Sequence, residues 1–441
     1  MMFRKETEIQ ETEIGEIPKD WKIERLGHLI NYVKGKKPKK LYDKKINENN
    51  LPYLTAEYMR GLETPKWCDP KEDPNVIKVN SDDIIMIWDG SYAGHVFTGY
   101  NGALASTMIK IIPKYNNLDK KFMYYYLTIS FQILRGTTIG TGVPHINKKI
   151  FEELYIPLPP LEEQKRIADI LSMIDSGIEI VDRAVAKLEG MKRVLLNELL
   201  TGRIRVREEN GKLTFHKETE FQDTEIGEIP KEWNVVSLED VSLTIRTGPF
   251  GSQLKKSELS ESGIKVYTQE NVLKNDFSLG NLYISYDKFE QLKNMEVKPG
   301  DVLLTIRGSI GYSAVFPEGA ERGIIHTNLA YIRVKISLLS PKYLSLLINY
   351  HSSIKSQLIT LSSATTLGAL YAKNIKKIKI PLPPLHEQQK IVEILSMIDK
   401  AIELYRKEKE RLLRLKRGLM SVLLTGRVRV IGDVKNVGIV T

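Results

Sequence analysis

The chain has 441 residues, a hydrophobic fraction of 42% and a formal net charge of +10. That length exceeds one ordinary core and points to two or three domains, and no apolar run is long enough for a transmembrane helix. Cys68 is the one cysteine, which excludes an intramolecular disulfide or a multi-cysteine zinc site and suits a reducing cytoplasm; the opening Met1-Met2-Phe3-Arg4-Lys5-Glu6 has no apolar leader core.

In chain order, the first recognisable block is KETEIQETEIGEIPKDW at 5–21, which returns as KETEFQDTEIGEIPKEW at 217–233 with 14 of 17 positions identical. Then comes a segment, 22–155, with 20 basic and 14 acidic residues. The next block, IPLPPLEEQKRIADILSMID at 156–175, recurs at 380–399 with 15 of 20 identities, and LLTGRIRV at 199–206 recurs as LLTGRVRV at 423–430. Between the second copies lies 234–379, with 18 basic and 12 acidic residues, while the rest of the chain holds 27 basic and 29 acidic. A near-neutral repeated frame thus carries two divergent, positively charged inserts, the pattern expected of two polyanion-binding surfaces.

The frame reads as helix. Pro159-Pro160 favours a start, and Gly202 and Gly426 supply stops. Apolar residues at alternating steps of four and three, Ile167, Leu171, Ile174, Ile178, Val181, Val185 and Leu188, and again Ile391, Leu395, Ile398 and Ile402, describe a coiled-coil seam. About 40 residues make a rod of roughly 60 Å. Lys192 and Lys416 hold equivalent seam positions and are expected to reach out into solvent. Two such rods bury their stripes most economically against each other, antiparallel, with the first KETE block near the end of the second helix. The inserts read as α/β. Strand-like runs at Asp83–Trp88 and Asp301–Ile306 end in Gly-Ser turns, and helices are expected at about 118–134 and 340–360. The fold class is therefore mixed α+β: two α/β domains separated by two long antiparallel coiled-coil helices, with a pseudo-twofold internal repeat. The expected domains are 1–155, a helical spacer at 156–210, a second insert domain at 211–379, and a second spacer with tail at 380–441.

Catalytic signatures are missing from the sequence. There is no phosphate loop, no Asn/Asp-Pro-Pro-aromatic motif for a flipped base, no dinucleotide fingerprint and no paired metal-ligand spacing. His28, His95, His145, His216, His326, His351 and His386 are scattered singly. Nucleic-acid contacts have better candidates. Lys36, Lys37, Lys39 and Lys40 form a Gly- and Pro-punctuated basic loop able to neutralise phosphates. Arg246, Ser252 and Gln253 lead into Lys255 and Lys256, combining groups for purine edges with groups for phosphate. The Gly-Ser turns add Ser91, Tyr92, Arg307 and Ser309. Loops before each frame helix add Arg135, Thr137, Thr138 and His145 in one half, and Thr365 and Thr366, after Ser362 and Ser363, in the other.

The repeated Ile-Pro-Leu-Pro-Pro-Leu-x-Glu-Gln with Ile-Leu-Ser-Met-Ile-Asp, the Ile-Pro-Lys-[Asp/Glu]-Trp at 17–21 and 229–233, and Gly-Asp-Val-Leu-Leu…Gly-Ser-Ile-Gly at 300–311 resemble type I restriction–modification specificity (S) subunits. Ser81-Asp82-Asp83 and Tyr92-Ala93-Gly94 match more loosely. The resemblance implies two target-recognition domains that read the halves of a bipartite, asymmetric site on double-stranded DNA. It implies no chemistry and no cofactor on this chain. It also implies partners: two adenine-N6 methyltransferase (M) subunits using S-adenosylmethionine, and restriction/translocase (R) subunits using ATP and Mg. Other classes left open by the residues are a stand-alone sequence-specific regulator and a nuclease with a dispersed carboxylate site.

Overall fold

The computed structural model describes residues 2–139, 144–209, 211–363 and 368–431. The chain forms two compact units, Met1–Arg183 with Arg406–Thr441, and Ala184–Tyr405. Helices Leu161–Leu200 and Leu385–Leu423 each contribute residues to both units, so the units cut across the four segments expected from the sequence.

Each unit is built around a four-stranded sheet. In the first the order is Val96–Phe97, Ile84–Ile87, Met108–Pro113, Ile30–Lys34; in the second it is Ser313–Val315, Val302–Thr305, Leu329–Val334, Ser242–Thr247. The uninterrupted apolar run Ile84-Ile85-Met86-Ile87 is buried throughout because its strand separates two cores. Ile84 and Met86 face Phe122 and Met123 of helix Lys120–Ile129, whereas Ile85 and Ile87 face Leu54 and Leu104 of a second, smaller sheet. Alternation along a strand has put successive side chains into different cores. Val302 and Leu304 against Leu303 repeat the device. Both smaller sheets, of four strands in the first insert and three in the second, contain one parallel pair, Leu51–Leu54 with Gly102–Leu104 and Ile264–Tyr267 with Gly323–Ile325. Inserts that share little sequence share this topology.

The long helices run antiparallel in each unit. In the second, Val185 and Leu188 share a core with Ile391, Leu395, Ile398 and Ile402; in the first, Ile167 and Leu171 share one with Leu423 and Leu424. The seam lysines do not reach into solvent. Lys192 Nζ lies 2.5 Å from Asp399 Oδ1 and Lys416 Nζ 2.5 Å from Asp175 Oδ1, with under a fifth of each lysine side chain exposed. The repeat supplies the reason: it places an aspartate on each helix opposite the lysine of the other, and a half-buried ammonium keeps its charge more cheaply beside a carboxylate than alone.

The repeated blocks converge into one knot per unit. Arg205 Nε donates to Glu387 at 2.7 Å, Nη1 to Glu218 at 2.6 Å and Nη2 to Glu232 at 3.0 Å, over the ring of Trp233, whose indole N–H donates to Glu387. Arg429 does the same with Glu163, Glu6 and Asp20 over Trp21. The buried Gln164 and Gln388 each accept a backbone N–H from the first turn region of an insert helix, from Asp119 and Ser340 at 2.8 Å. Gly202 and Gly426 have φ of +71° and +73°, and a Cβ there would come within 2.4 Å of Pro230 and 2.3 Å of Pro18, so helix stop and Ile-Pro-Lys turn are fitted to each other. Strand Met2–Lys5 pairs antiparallel with Val428–Ile431, where the second unit has the hairpin Ile204–Glu209 with Lys212–Lys217. The first block does lie beside the end of the second helix.

Candidate nucleic-acid interface

In the first insert the lysine loop leaves the sheet at Gly35, whose backbone N–H donates to Met108 O at 2.9 Å. A Cβ at Gly35 would lie 2.1 Å from Ala105 O. The crossing therefore requires glycine and fixes the root of the loop. Beyond it Lys36, Lys37, Lys39 and Lys40 are exposed while Pro38 is buried. The backbone N–H of Lys39 donates to Asp73, and the Lys40 ammonium lies 4.7 Å from the centre of the Tyr42 ring. Four ammonium groups are thus presented on an anchored backbone.

Asp89, at the end of the central strand, ties this loop to another segment. Its carboxylate meets Lys34 Nζ at 2.8 Å and His145 Nδ1 at 2.6 Å, and Gly90 N–H donates to Pro144 O. Next to it Ser91 and Tyr92 are exposed on the Gly-Ser turn, and the Arg60 guanidinium stacks 3.4 Å above the Tyr92 ring. His95 packs 4.1 Å from the Phe131 ring; burial, then the charges of Arg60 and Arg135, push its pKa down. The site brings together the lysine loop, Ser91, Tyr92 and His145, with Arg135 near by.

In the loops before the frame helices, three placements differ from the sequence expectation. Arg135 is in the last turn of helix Phe131–Gly136 rather than in a loop. Thr137 Oγ1 donates to Ile133 O and Leu134 O, and Thr138 Oγ1 to Arg135 O, so these hydroxyls turn back on the helix end, where carbonyls lack intrahelical partners. Ser362 and Ser363 close helix Ser352–Ser363; Thr365 and Thr366 lie outside the described residues.

In the second insert Arg246 is an exposed residue of strand Ser242–Thr247, opposite Tyr331, and not part of the following loop. That loop begins at Gly248, where a Cβ would lie 2.1 Å from His326 O, the counterpart of Gly35. Ser252, Gln253, Lys255 and Lys256 are exposed on it, and Gln253 uses its carboxamide oxygen to hold Phe250 N–H at 2.9 Å. Arg307 follows strand Val302–Thr305, with Ser309 exposed beyond Gly308. Sequence reasoning counted Lys34 in the lysine run and His95 and His326 among the scattered histidines, and it did not single out Arg60, Asp89 or Gln269. For Asp89 a signal existed, since it precedes Gly90-Ser91 as Arg307 precedes Gly308-Ser309. Among the described residues no group of three or more His, Cys, Asp or Glu side chains is placed to hold a metal ion, and no helix is long and apolar enough to cross a membrane.

Comparison with known proteins bears on the whole chain. Residues 18–189 and 230–414 match the model of the type I restriction modification DNA specificity domain. The chain is 35% identical, over 98% of both lengths, to the type I restriction enzyme MjaVIII specificity subunit of Methanocaldococcus jannaschii. Its fold is like that of a type I restriction–modification S subunit from M. genitalium, with a TM-score of 0.55 at 16% identity over 91% of this chain and 96% of that one. It is also like a chain from a structure describing complex assembly and conformational transition of the type I system, with a TM-score of 0.53 at 20% identity over 93% and 99%. Two matched repeats, end-to-end similarity and the shared fold agree: the chain belongs to the type I restriction–modification DNA specificity family.

Proposed function

We propose that this chain is the non-catalytic DNA-reading subunit of a type I restriction–modification complex in the cytoplasm, each insert recognising one half of a bipartite, asymmetric duplex site. It directs two adenine-N6 methyltransferase subunits and the restriction/translocase subunits to that site. S-adenosylmethionine, ATP and Mg serve those partners, and this chain holds none of them. One observation carries the reading: two inserts whose main four-stranded sheets share one strand order present different side chains at the same strand ends and loop roots. A constant scaffold with variable tips is what separate recognition of two unlike half-sites requires.

The deciding experiment exchanges residues 234–379 for the corresponding insert of a related subunit. The cut is mechanically sound because strand Asn234–Ser237 pairs with Lys379–Leu382, so both insert ends leave the frame side by side. Methylated-adenine mapping in cells carrying the chimera and its methyltransferase should show one half-site changed and the other intact. A change in both halves, or in neither, overturns modular reading.

Neutralising the basic loop tests its part. Replacing Lys36, Lys37, Lys39 and Lys40 by glutamine should weaken binding to specific and random duplexes alike. It should also flatten the slope of log K against log salt by roughly 3–4 units, about 0.9 per phosphate contact. A slope equal to that of the parent means these ammonium groups meet no phosphate.

A further inference from the structure

The shared topology lets positions in the two inserts be matched by structure. Strand Ile84–Ile87 runs on through Trp88 to Asp89, and strand Val302–Thr305 through Ile306 to Arg307, before a Gly-Ser turn in each case. Helix Ala56–Met59 follows the parallel strand Leu51–Leu54 after Thr55, and helix Gln269–Lys274 follows Ile264–Tyr267 after Thr268. Ala56 therefore stands where the second insert has Gln269, and Asp89 where it has Arg307.

The two pairs are in opposite states. Asp89 is already engaged by Lys34 and His145. Arg307 Nε and Gln269 Oε1 are both buried and have no hydrogen-bond partner among the described residues. The Gln269 carboxamide lies against the turn that Arg307 opens, since a Cβ on Gly308, the next residue, would lie 3.5 Å from Gln269 Oε1. His326 does not relieve the guanidinium, whose Nε finds no partner among the described residues; burial, then the Arg307 charge, push the imidazole pKa down, and its Nδ1 is 3.2 Å from the Thr327 hydroxyl. A buried donor and a buried acceptor left unmet at one turn are unfavourable unless something arrives to meet them. Both side chains are also partly exposed, as groups that receive a ligand must be.

We propose that Arg307 and Gln269 are the base-reading pair of the second half-site. Two N–H groups of Arg307 span N7 and O6 of a guanine, and the Gln269 carboxamide spans N7 and N6 of a neighbouring adenine. This deepens the DNA-reading role proposed above and rests on it. The chemistry follows from the atoms each base shows in the major groove, where an arginine matches guanine and a glutamine matches adenine. In the first insert the same two places hold alanine and an aspartate paired with Lys34 and His145, which do not offer that pattern.

The test selects bound duplexes from a randomised library, using the full chain with its methyltransferase partner, and compares the parent with Arg307→Ala, Arg307→Lys and Gln269→Ala. For Arg307→Ala, one guanine of one half-site should become degenerate and affinity for the parental site should fall about 5- to 150-fold. Gln269→Ala should relax an adenine adjacent to that guanine. Arg307→Lys, which keeps the charge, should retain binding to random DNA yet lose strict guanine preference. The half-site of the first insert should be untouched in all three. Unaltered selection, uniform weakening with no relaxed position, or relaxation in the half-site that insert exchange assigns to residues 22–155 overturns the pair. A parent chain that selects no sequence at all overturns the DNA-reading role itself.

Discussion

Replacing Arg205 by methionine should lower the unfolding free energy by about 3–5 kcal/mol, the cost of removing one partner from a buried ion cluster. Arg205 and Glu387 side chains are each 3% exposed, so the variant leaves the Glu387 carboxylate buried with, among the described residues, only the Trp233 N–H to meet it. Much of the loss is this uncompensated charge, and the double variant Arg205→Met with Glu387→Gln should recover a good part of it. Urea unfolding followed by tryptophan fluorescence reads the effect, because Trp233 abuts the guanidinium. A loss under about 1 kcal/mol would mean the cluster is stability-neutral. Acid should act on the same groups. Glu218 is held at about 2 by the backbone N–H of Glu220 and then by Arg205, and Glu6 at about 2 by Glu8 N–H and then by Arg429. Depressed carboxylates contribute fully above their unfolded pKa near 4.5, and the contribution is lost as pH falls through about 2.

Adding one heptad to each long helix should lengthen the preferred spacer between half-sites by about three base pairs. Seven residues at 1.5 Å rise add about 10 Å, and B-DNA rises about 3.4 Å per pair. Placed beside the Asp182–Lys409 bridge, at facing positions, the insertions preserve the buried stripe, since helix phase drifts only about 20° per heptad. Three base pairs turn the duplex by roughly 100°, so affinity should fall at every spacing even as the optimum moves. Binding to a series of spacer lengths decides the matter. An optimum equal to that of the parent would show that the helices do not set the spacing.

What the sequence displays depends on how local the cause is. The helices were legible because seam, proline start and glycine stop lie within one segment, and the antiparallel pairing followed from two equal stripes. The common topology of the inserts was not. It is carried by buried runs such as Ile84–Ile87 and Val302–Thr305, which keep hydrophobicity and length but not identity. The role of Glu163 and Glu387 was hidden for another reason, since their partners Arg429 and Arg205 lie more than 180 residues away. Lys192 and Lys416 were misjudged because their aspartates sit on the other helix. At the candidate site, residue type was a fair guide to exposed groups such as Lys36–Lys40. It did not show that the Thr137 and Thr138 hydroxyls turn back on helix-end carbonyls, nor that Gln269 Oε1 is buried without a partner among the described residues, which no charge run or glycine turn announces.

The two knots also have a reciprocity that no single repeat contains. The cluster in the second unit takes Glu218, Glu232, Trp233 and Glu387 from the second repeat but Arg205 from the end of the first; the cluster in the first unit takes Glu6, Asp20, Trp21 and Glu163 from the first repeat but Arg429 from the end of the second. Divided at Asn210, the chain would yield two pieces, each holding four members of its own cluster and the arginine that belongs to the other. This is the bookkeeping of a domain-swapped dimer, with the exchanged arm built into one polypeptide. The smallest set of parts that satisfies every one of these charges is therefore a pair of repeats, and one insert can diverge in sequence while the arginine its repeat lends keeps the other half closed.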